Sequence, residues 1–374
     1  MQIVVNTRML IDNKLDGIGR FSCEILKRVT KNNPDTHFVF LFDRPFSDEF
    51  IFSDNITPIL VSPKTRHPIL YRYWFQFPVK SILNKMKPDL FFSPDGFLSL
   101  GAKCKQLPVI HDINFKHFPK DLKSSYASYY NKYFPKFAKT AARIVTVSEY
   151  SKKDIAEHYG IEKNLIDVVY NGITDGFSEC SDEIKNETIK KFSKGQPYFL
   201  FVGSMHPRKN IPMLMKAFDA FKEESGAPHK LICGGPIFWG AGEIETTFDS
   251  LKHNNDIIFT GRIAEEDLQH LYASAFCLAY IPYFEGFGIP LVEAMASGIP
   301  IITSDVTSMP EVAGDAALLV NPNEISEIKN ALNKIYRDES LREKLIENGR
   351  KRKAVFDWDD SARKLWESIE KCLG

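Results

Sequence analysis

Short apolar runs rich in Val, Ile and Phe recur along the first half of the chain, separated by amphipathic stretches. QIVVNT (2–7), HFVFLF (37–42), ITPILV (56–61), DLFFSP (89–94), LPVIHD (107–112) and RIVTVSE (143–149) read as buried strands. Segments 20–32 and 122–141 carry apolar positions at helical spacing. This alternation predicts βαβ units and a parallel sheet covered on both faces. After DVVYNGI (167–173) the polar stretch ECSDEIKNET (179–188) reads as part of a domain boundary. The pattern then restarts, with strands at YFLFVGS (198–204), HKLICGG (229–235), DIIFTG (256–261), FCLAYIP (276–282), PIITSD (300–305) and AALLVN (316–321). Helices fit at 210–225, 265–275, 289–297, 324–335 and 339–355, and a last one starts near Asp359 or Asp360, either a good N-cap. The expected organisation is an α/β domain over 1–175, a second over 176–356, and a terminal helix over 357–374 that packs back on the first.

Composition narrows the class without naming a partner. At 374 residues, 44% hydrophobic and 26% charged, the chain is globular and long enough for two cores. The formal net charge is zero, but residues 1–175 hold 25 Lys and Arg against 18 Asp and Glu, and the remainder carries the opposite excess. A basic first half suits an anionic acceptor or a membrane surface. The start MQIVVNT lacks a basic leader and no run approaches the roughly 20 apolar residues of a membrane span. The six cysteines are scattered and read as reduced thiols, so the expected compartment is the cytoplasm.

In open parallel sheets ligands sit beyond the carboxyl ends of the strands, so polar groups just after each strand are the candidates. In YFEGFGIPLVEAMASG (283–298) a glycine loop joins a strand to a helix beginning near Ile289. The amides of Gly286, Phe287 and Gly288 meet the positive end of the helix dipole, an anion site. Glu285 and Glu293 flank it and could accept hydrogen bonds from sugar and ribose hydroxyls; the plain alternative leaves Glu293 solvated on a helix face. In FVGSMHPRKN (201–210) a strand ends at Gly203, and Arg208 and Lys209 precede a helix. Two cations there suit a departing diphosphate, although such a pair on a surface loop is often only solvated. DGIGRF (16–21) lets amides near Gly17 and Gly19 approach a phosphate but lacks the dinucleotide fingerprint. His111 and Asp112 close a strand, a place suited to catalysis, although a lone histidine is more often structural. Ser148, Glu149, Gly235, Arg262, Ser304 and Glu311 are minor candidates.

EGFGIPLVE, followed by AMASGIPIITSD and PEVAGDAALLV (310–320), resembles the retaining glycosyltransferases of family 4, and the likeness extends over nearly the whole chain. It implies the GT-B fold: two Rossmann-like parallel-sheet domains facing a central cleft, with the donor held there. By that resemblance Glu285 contacts hydroxyls of the transferred sugar, while Phe287 and Gly288 help hold the sugar and phosphate. Glu293 takes the ribose, and Arg208 and Lys209 grip the diphosphate. Gly17 and Gly19 face the donor phosphates, Gly235 and Arg262 lie by the nucleoside, and His111 lies near the sugar. Many members place a basic residue directly after the strand-end glycine; here that residue is Ser204.

The implied reaction is transfer of a hexose, with mannose the leading choice, from GDP-mannose or a UDP-sugar to a glycan or lipid-linked hydroxyl in surface polysaccharide assembly. No metal, other cofactor or nucleic acid is expected. Asp357-Trp358-Asp359 spells the metal mark of a different fold but precedes a helix and reads as capping. Segments 115–139 and 66–87 interleave lysines and arginines with aromatics, which predicts weak peripheral contact with anionic lipid on the inner membrane face. The alternative there is amphipathic helices with solvated lysines and core aromatics. Rival functions are a sugar-nucleotide epimerase, a nicotinamide-dependent enzyme and a non-catalytic nucleotide-sugar-binding partner.

Overall fold

The computed structural model describes residues 1–12, 14–15, 17–236 and 242–374. The chain divides into two units: residues 1–171 with 357–374, and residues 172–356. The division falls four residues before the expected boundary at 175.

The first unit contains β1 (Gln2–Asn6), β2 (His37–Phe42), β3 (Ile56–Leu60), β4 (Leu90–Ser93), β5 (Lys105–Pro108), β6 (Ile144–Thr146) and β7 (Ile166–Val168). Its main sheet is parallel, in the order β3-β2-β1-β4-β5. A parallel bridge from Val109 to Val145 joins the β6–β7 pair to it. Continuous apolar runs form the central strands, because helices cover both faces and leave no polar side. β3 departs from that reading: it lies on the edge, and Leu60 is half exposed. The strand at 107–112 is shifted toward its start, ending at Pro108, so His111 stands three residues beyond it.

Helix Trp358–Leu373 packs on the first unit against helix Gly17–Asn32, with Arg28 donating to Asp359 and Ser361 to the Tyr170 carbonyl. Its N-cap is Asp357, whose carboxylate accepts from the Asp360 amide at 2.8 Å. Asp359 and Asp360 lie in the first turn, where acidic charge meets the helix dipole.

The second unit holds β8 (Tyr198–Val202), β9 (Lys230–Gly234), β10 (Ile257–Gly261), β11 (Cys277–Tyr280), β12 (Ile301–Ser304) and β13 (Ala317–Val320). They form one parallel sheet ordered β10-β9-β8-β11-β12-β13. The polar stretch at 179–188 lies past the division between the units and mostly within helix Asp182–Ser193. Its apolar stripe is short, Ile184, Ile189 and Phe192, and only partly buried. Ser181 caps it, Asp182 and Glu183 occupy its first turn, and Lys190 and Lys191 its last. Capping and charge placement support it where hydrophobic periodicity gives little signal.

Candidate functional site

Both sheets reverse their strand order at their first strand. β1 lies between β2 and β4, and β8 between β9 and β11. The connections on either side of such a reversal leave in opposite directions, which opens room at the carboxyl ends for a ligand. In the second unit the loops after β8 and β11 therefore meet.

Gly203 ends β8 with φ +149°, and its amide donates to the Gly234 carbonyl. Gly235 follows β9 with φ +136°, and a Cβ there would stand 2.0 Å from the Gly203 carbonyl oxygen. No side chain fits that approach at Gly235, while Gly203 is required by its positive φ rather than by crowding. The chain then makes a turn at Pro207–Lys209, capped by His206. Asn210, left-handed at φ +62°, closes the turn. Its side-chain amide donates to the carbonyls of Ile281 (3.1 Å) and Pro322 (2.8 Å), fixing the turn against the exit of β11.

That framework brings Arg208, Lys209 and Glu285 together. Arg208 Nη1 donates to Glu285 Oε1 at 2.6 Å and to the Phe284 carbonyl at 3.0 Å. Lys209 Nζ pairs with the same carboxylate oxygen and donates to the Tyr280 hydroxyl. The Tyr280 hydroxyl in turn donates to Glu285 Oε1 at 2.6 Å. The three charged side chains are only 18%, 9% and 10% exposed for Arg208, Lys209 and Glu285. Burial raises the Tyr280 pKa; Arg208 opposes that rise and Glu293 adds to it, so the phenol stays a donor. Two cations against one carboxylate leave a positive centre, suited to an anion with a hydroxyl-rich neighbour.

Gly286, Phe287 and Gly288 lead into helix Ile289–Ala296, with Gly288 as its left-handed N-cap and Pro290 in the first turn. Ser308 Oγ donates to the carbonyls of Glu285 (2.9 Å) and Phe287 (3.0 Å), pinning the loop from behind. Glu293 is buried at 7% exposure rather than solvated. Tyr272, also buried, is held far above its ordinary pKa by burial and by Glu293. Arg262 is exposed after β10, two strands from β8, and does not join the Arg208 cluster.

In the first unit Gly17 and Gly19 lie in the first turn of helix Gly17–Asn32, Gly17 exposed and Gly19 buried. Asp16 of the DGIGRF motif lies outside the described residues. His111 Nε2 is 2.9 Å from the Pro94 carbonyl, which can only accept, so that nitrogen carries the proton. The ring stands edge-on to Phe21, with centroids 5.0 Å apart. Ser148 caps helix Glu149–Tyr159, and the Glu311 main-chain carbonyl accepts from Arg352. Ser304 is buried at the end of β12.

Sequence reasoning missed Tyr280, Asn210 and Ser308, which position the cluster. It also missed Arg8 and Asp95, an ion pair after β1 and β4 at the reversal point of the first sheet. The rule that found Arg208 would have found these two, since each follows its strand within two residues. A cavity of about 310 Å³ lies elsewhere in the second unit, lined by Pro197, Phe276 and Pro300 just before β8, β11 and β12. It sits at the amino ends of those strands, opposite the charged cluster.

Comparison with known proteins matches residues 182–352 to the family model described as Glycosyl transferases group 1, and residues 15–176 to Glycosyltransferase Family 4. The O-antigen chain mannosyltransferase B of Escherichia coli is 27% identical over 371 residues, spanning 96% of this chain and 97% of that one. The O-antigen chain mannosyltransferase RfbU of Salmonella typhimurium is 30% identical over 231 residues, 62% of this chain and 60% of that protein. Among solved structures, Anabaena HepE in complex with UDP and glucose superposes with a TM-score of 0.77 at 16% identity, over 99% of this chain and all of the other. WaaG, a glycosyltransferase involved in lipopolysaccharide biosynthesis, gives 0.76 at 16% identity, covering 98% of each chain.

Proposed function

The chain belongs to the family 4 glycosyltransferases, enzymes of the GT-B fold, and from that premise we propose that it transfers mannose from GDP-mannose, with retention of configuration, to a glycan or lipid-linked hydroxyl in surface polysaccharide assembly. The observation that carries this reading is the convergence of Arg208, Lys209 and Glu285 at the strand-order reversal of the second sheet. Mannose is favoured because full-length likeness runs to an O-antigen mannosyltransferase. A UDP-sugar is the second donor choice, from the UDP and glucose bound to HepE.

In the resting arrangement Glu285 pairs with both cations and offsets one of their two charges. On donor binding, the diphosphate takes over Arg208 and Lys209, and Glu285 turns to the sugar hydroxyls. As the anomeric carbon–oxygen bond breaks, negative charge grows on the phosphate oxygen beside the cations. The acceptor oxygen bonds to the anomeric carbon from the same face, and its proton passes to that phosphate oxygen. The nucleoside diphosphate leaves, and no metal is required. Glu293 holds the ribose, the amides of Gly286, Phe287, Gly288 and Ile289 face the phosphate, and Gly203, Gly235 and Arg262 border the nucleoside. The test is a donor screen with GDP-mannose, UDP-glucose and ADP-glucose, reading nucleotide release and the anomeric proton of the product. The reading expects an α-mannoside from GDP-mannose; release with no sugar–acceptor bond, or conversion of the sugar without acceptor, would refute it.

The proposal includes weak peripheral contact with anionic lipid at the cytoplasmic membrane face. No helix among the described residues is long and apolar enough to cross a membrane. In segment 115–139 the lysines are exposed while Phe115, Tyr129, Phe134 and Phe137 turn into the core, so that segment offers charge without an apolar face. The apolar face lies in the other segment. Ile69, Tyr73 and Phe77, four residues apart along consecutive helical turns, are 71%, 49% and 61% exposed. Residues 62–87 hold six Lys and Arg and no Asp or Glu. Aromatic side chains flanked by cations suit an anionic interface. Ile69→Ser/Tyr73→Ser/Phe77→Ser is expected to abolish cosedimentation with phosphatidylglycerol vesicles at unchanged circular dichroism; undiminished cosedimentation would remove this contact.

A further inference from the structure

A cluster outside the charged site has the chemistry of a metal site. His117 ends the short helix Asn114–His117, while Asp154 and His158 are four residues apart on helix Glu149–Tyr159 and so share one face. His117 Nε2 lies 2.9 Å from both Asp154 carboxylate oxygens. His158 Nδ1 lies 3.0 Å from Asp154 Oδ1 and 3.0 Å from the Asp154 carbonyl. The two imidazole rings meet edge-to-face with centroids 4.9 Å apart. One ligand atom from each residue falls within a sphere where all separations are at most 4.8 Å. A tetrahedral ion bonded at about 2.0–2.2 Å holds its ligands roughly 3.3 Å apart, inside that spread.

We propose that His117, Asp154 and His158 bind one first-row divalent metal ion, with Zn²⁺ the ion they suit. Two imidazole nitrogens and one carboxylate favour zinc and its neighbours over Ca²⁺ or Mg²⁺, which take oxygen ligands. An ion there would replace the contacts that now join the imidazole nitrogens to the carboxylate. The carboxylate side chain is 7% exposed and the histidines 26% and 33%, so the base of the site is formed while one side admits the ion and completing waters. Asp112 and Glu157 act on nearby Tyr150 together with Asp154, adding negative charge to the neighbourhood.

The role is structural. The ion ties the segment directly after His111 and Asp112 to helix Glu149–Tyr159 across 37 residues of sequence. It takes no part in sugar transfer, whichever donor is used.

The test uses the full chain, stripped with a chelator and titrated with Zn²⁺ by calorimetry and with Co²⁺ by visible absorption. One ion per chain is expected, with a rise in thermal midpoint and a cobalt spectrum lacking thiolate charge-transfer bands. Loss of one ligand should weaken binding at least about tenfold, since even outer-shell changes do so. His117→Ala and His158→Ala should both show it, and if His117→Ala fails to fold, the more exposed His158→Ala decides. No saturable binding, thiolate bands, or an isotherm unchanged in His158→Ala would overturn the proposal.

Discussion

Glu285→Gln is expected to lower kcat by about 10²–10³ while leaving nucleoside diphosphate binding unchanged or tighter. The sign of the second effect follows from the resting geometry. Glu285 Oε1 takes hydrogen bonds or ion pairs from Arg208, Lys209 and Tyr280 at once. A diphosphate must compete with that carboxylate for the two cations, and glutamine removes the competitor's charge. Turnover falls because the amide no longer offers a charged acceptor to the sugar hydroxyls as the anomeric centre becomes cationic. Steady-state kinetics and calorimetric titration of the product nucleotide check the two halves separately. Loss of nucleotide binding in step with turnover would mean that Glu285 orders the cations rather than serving the sugar.

The second large effect concerns stability in the first unit. Asp95→Ala is expected to destabilise that unit by about 3–5 kcal/mol, because it strands a buried guanidinium. Arg8 and Asp95 are 7% and 6% exposed, and Arg8 Nε donates to Asp95 Oδ2 at 2.5 Å. Burial works most strongly against the charge on Arg8, but Asp95, together with Tyr71 and Tyr130, more than offsets it and holds the pKa above the ordinary value. The guanidinium carbon also lies 4.2 Å from the Phe97 ring centre and 4.7 Å from that of Tyr71. Those rings can receive an apolar side chain at position 8, but Asp95 Oδ1 also accepts from Asn6, Ser93 and the Phe97 amide, so Arg8→Met/Asp95→Leu should recover only part of the loss. Urea unfolding of the single and double variants measures both numbers. A silent Asp95→Ala, or a double variant no better than the single, would contradict this account.

Hydrophobic pattern made most of both sheets legible. HFVFLF coincides with β2 to the residue, and the second set of apolar runs contains β8 through β13 in order. The pattern failed where apolar burial is not what forms the element. Helix Asp182–Ser193 leans on a serine cap and charge placement, and β3 keeps three of its five residues exposed because it pairs on one side only. The residues proposed for the phosphate and sugar were legible because they follow strand ends and sit in a recognisable run. Tyr280 was not, since a tyrosine inside an apolar strand reads as core until its hydroxyl is seen to meet Lys209 and Glu285. The Arg8–Asp95 pair joins residues 87 positions apart, a pairing that only the strand order of the first sheet creates. The same limit hid the His117–Asp154–His158 cluster, whose first member is remote in sequence from the other two.

The claim on which the rest depends is that Arg208 and Lys209 grip a diphosphate. Calorimetric titration of GDP and GMP into the wild-type chain and into Arg208→Ala/Lys209→Ala tests it directly. A charge-assisted hydrogen bond contributes about 1.5–3 kcal/mol, roughly tenfold or more in affinity for each cation. The account predicts that wild type binds GDP more tightly than GMP and that the double variant loses this preference. Equal preference for the diphosphate in both proteins would contradict it.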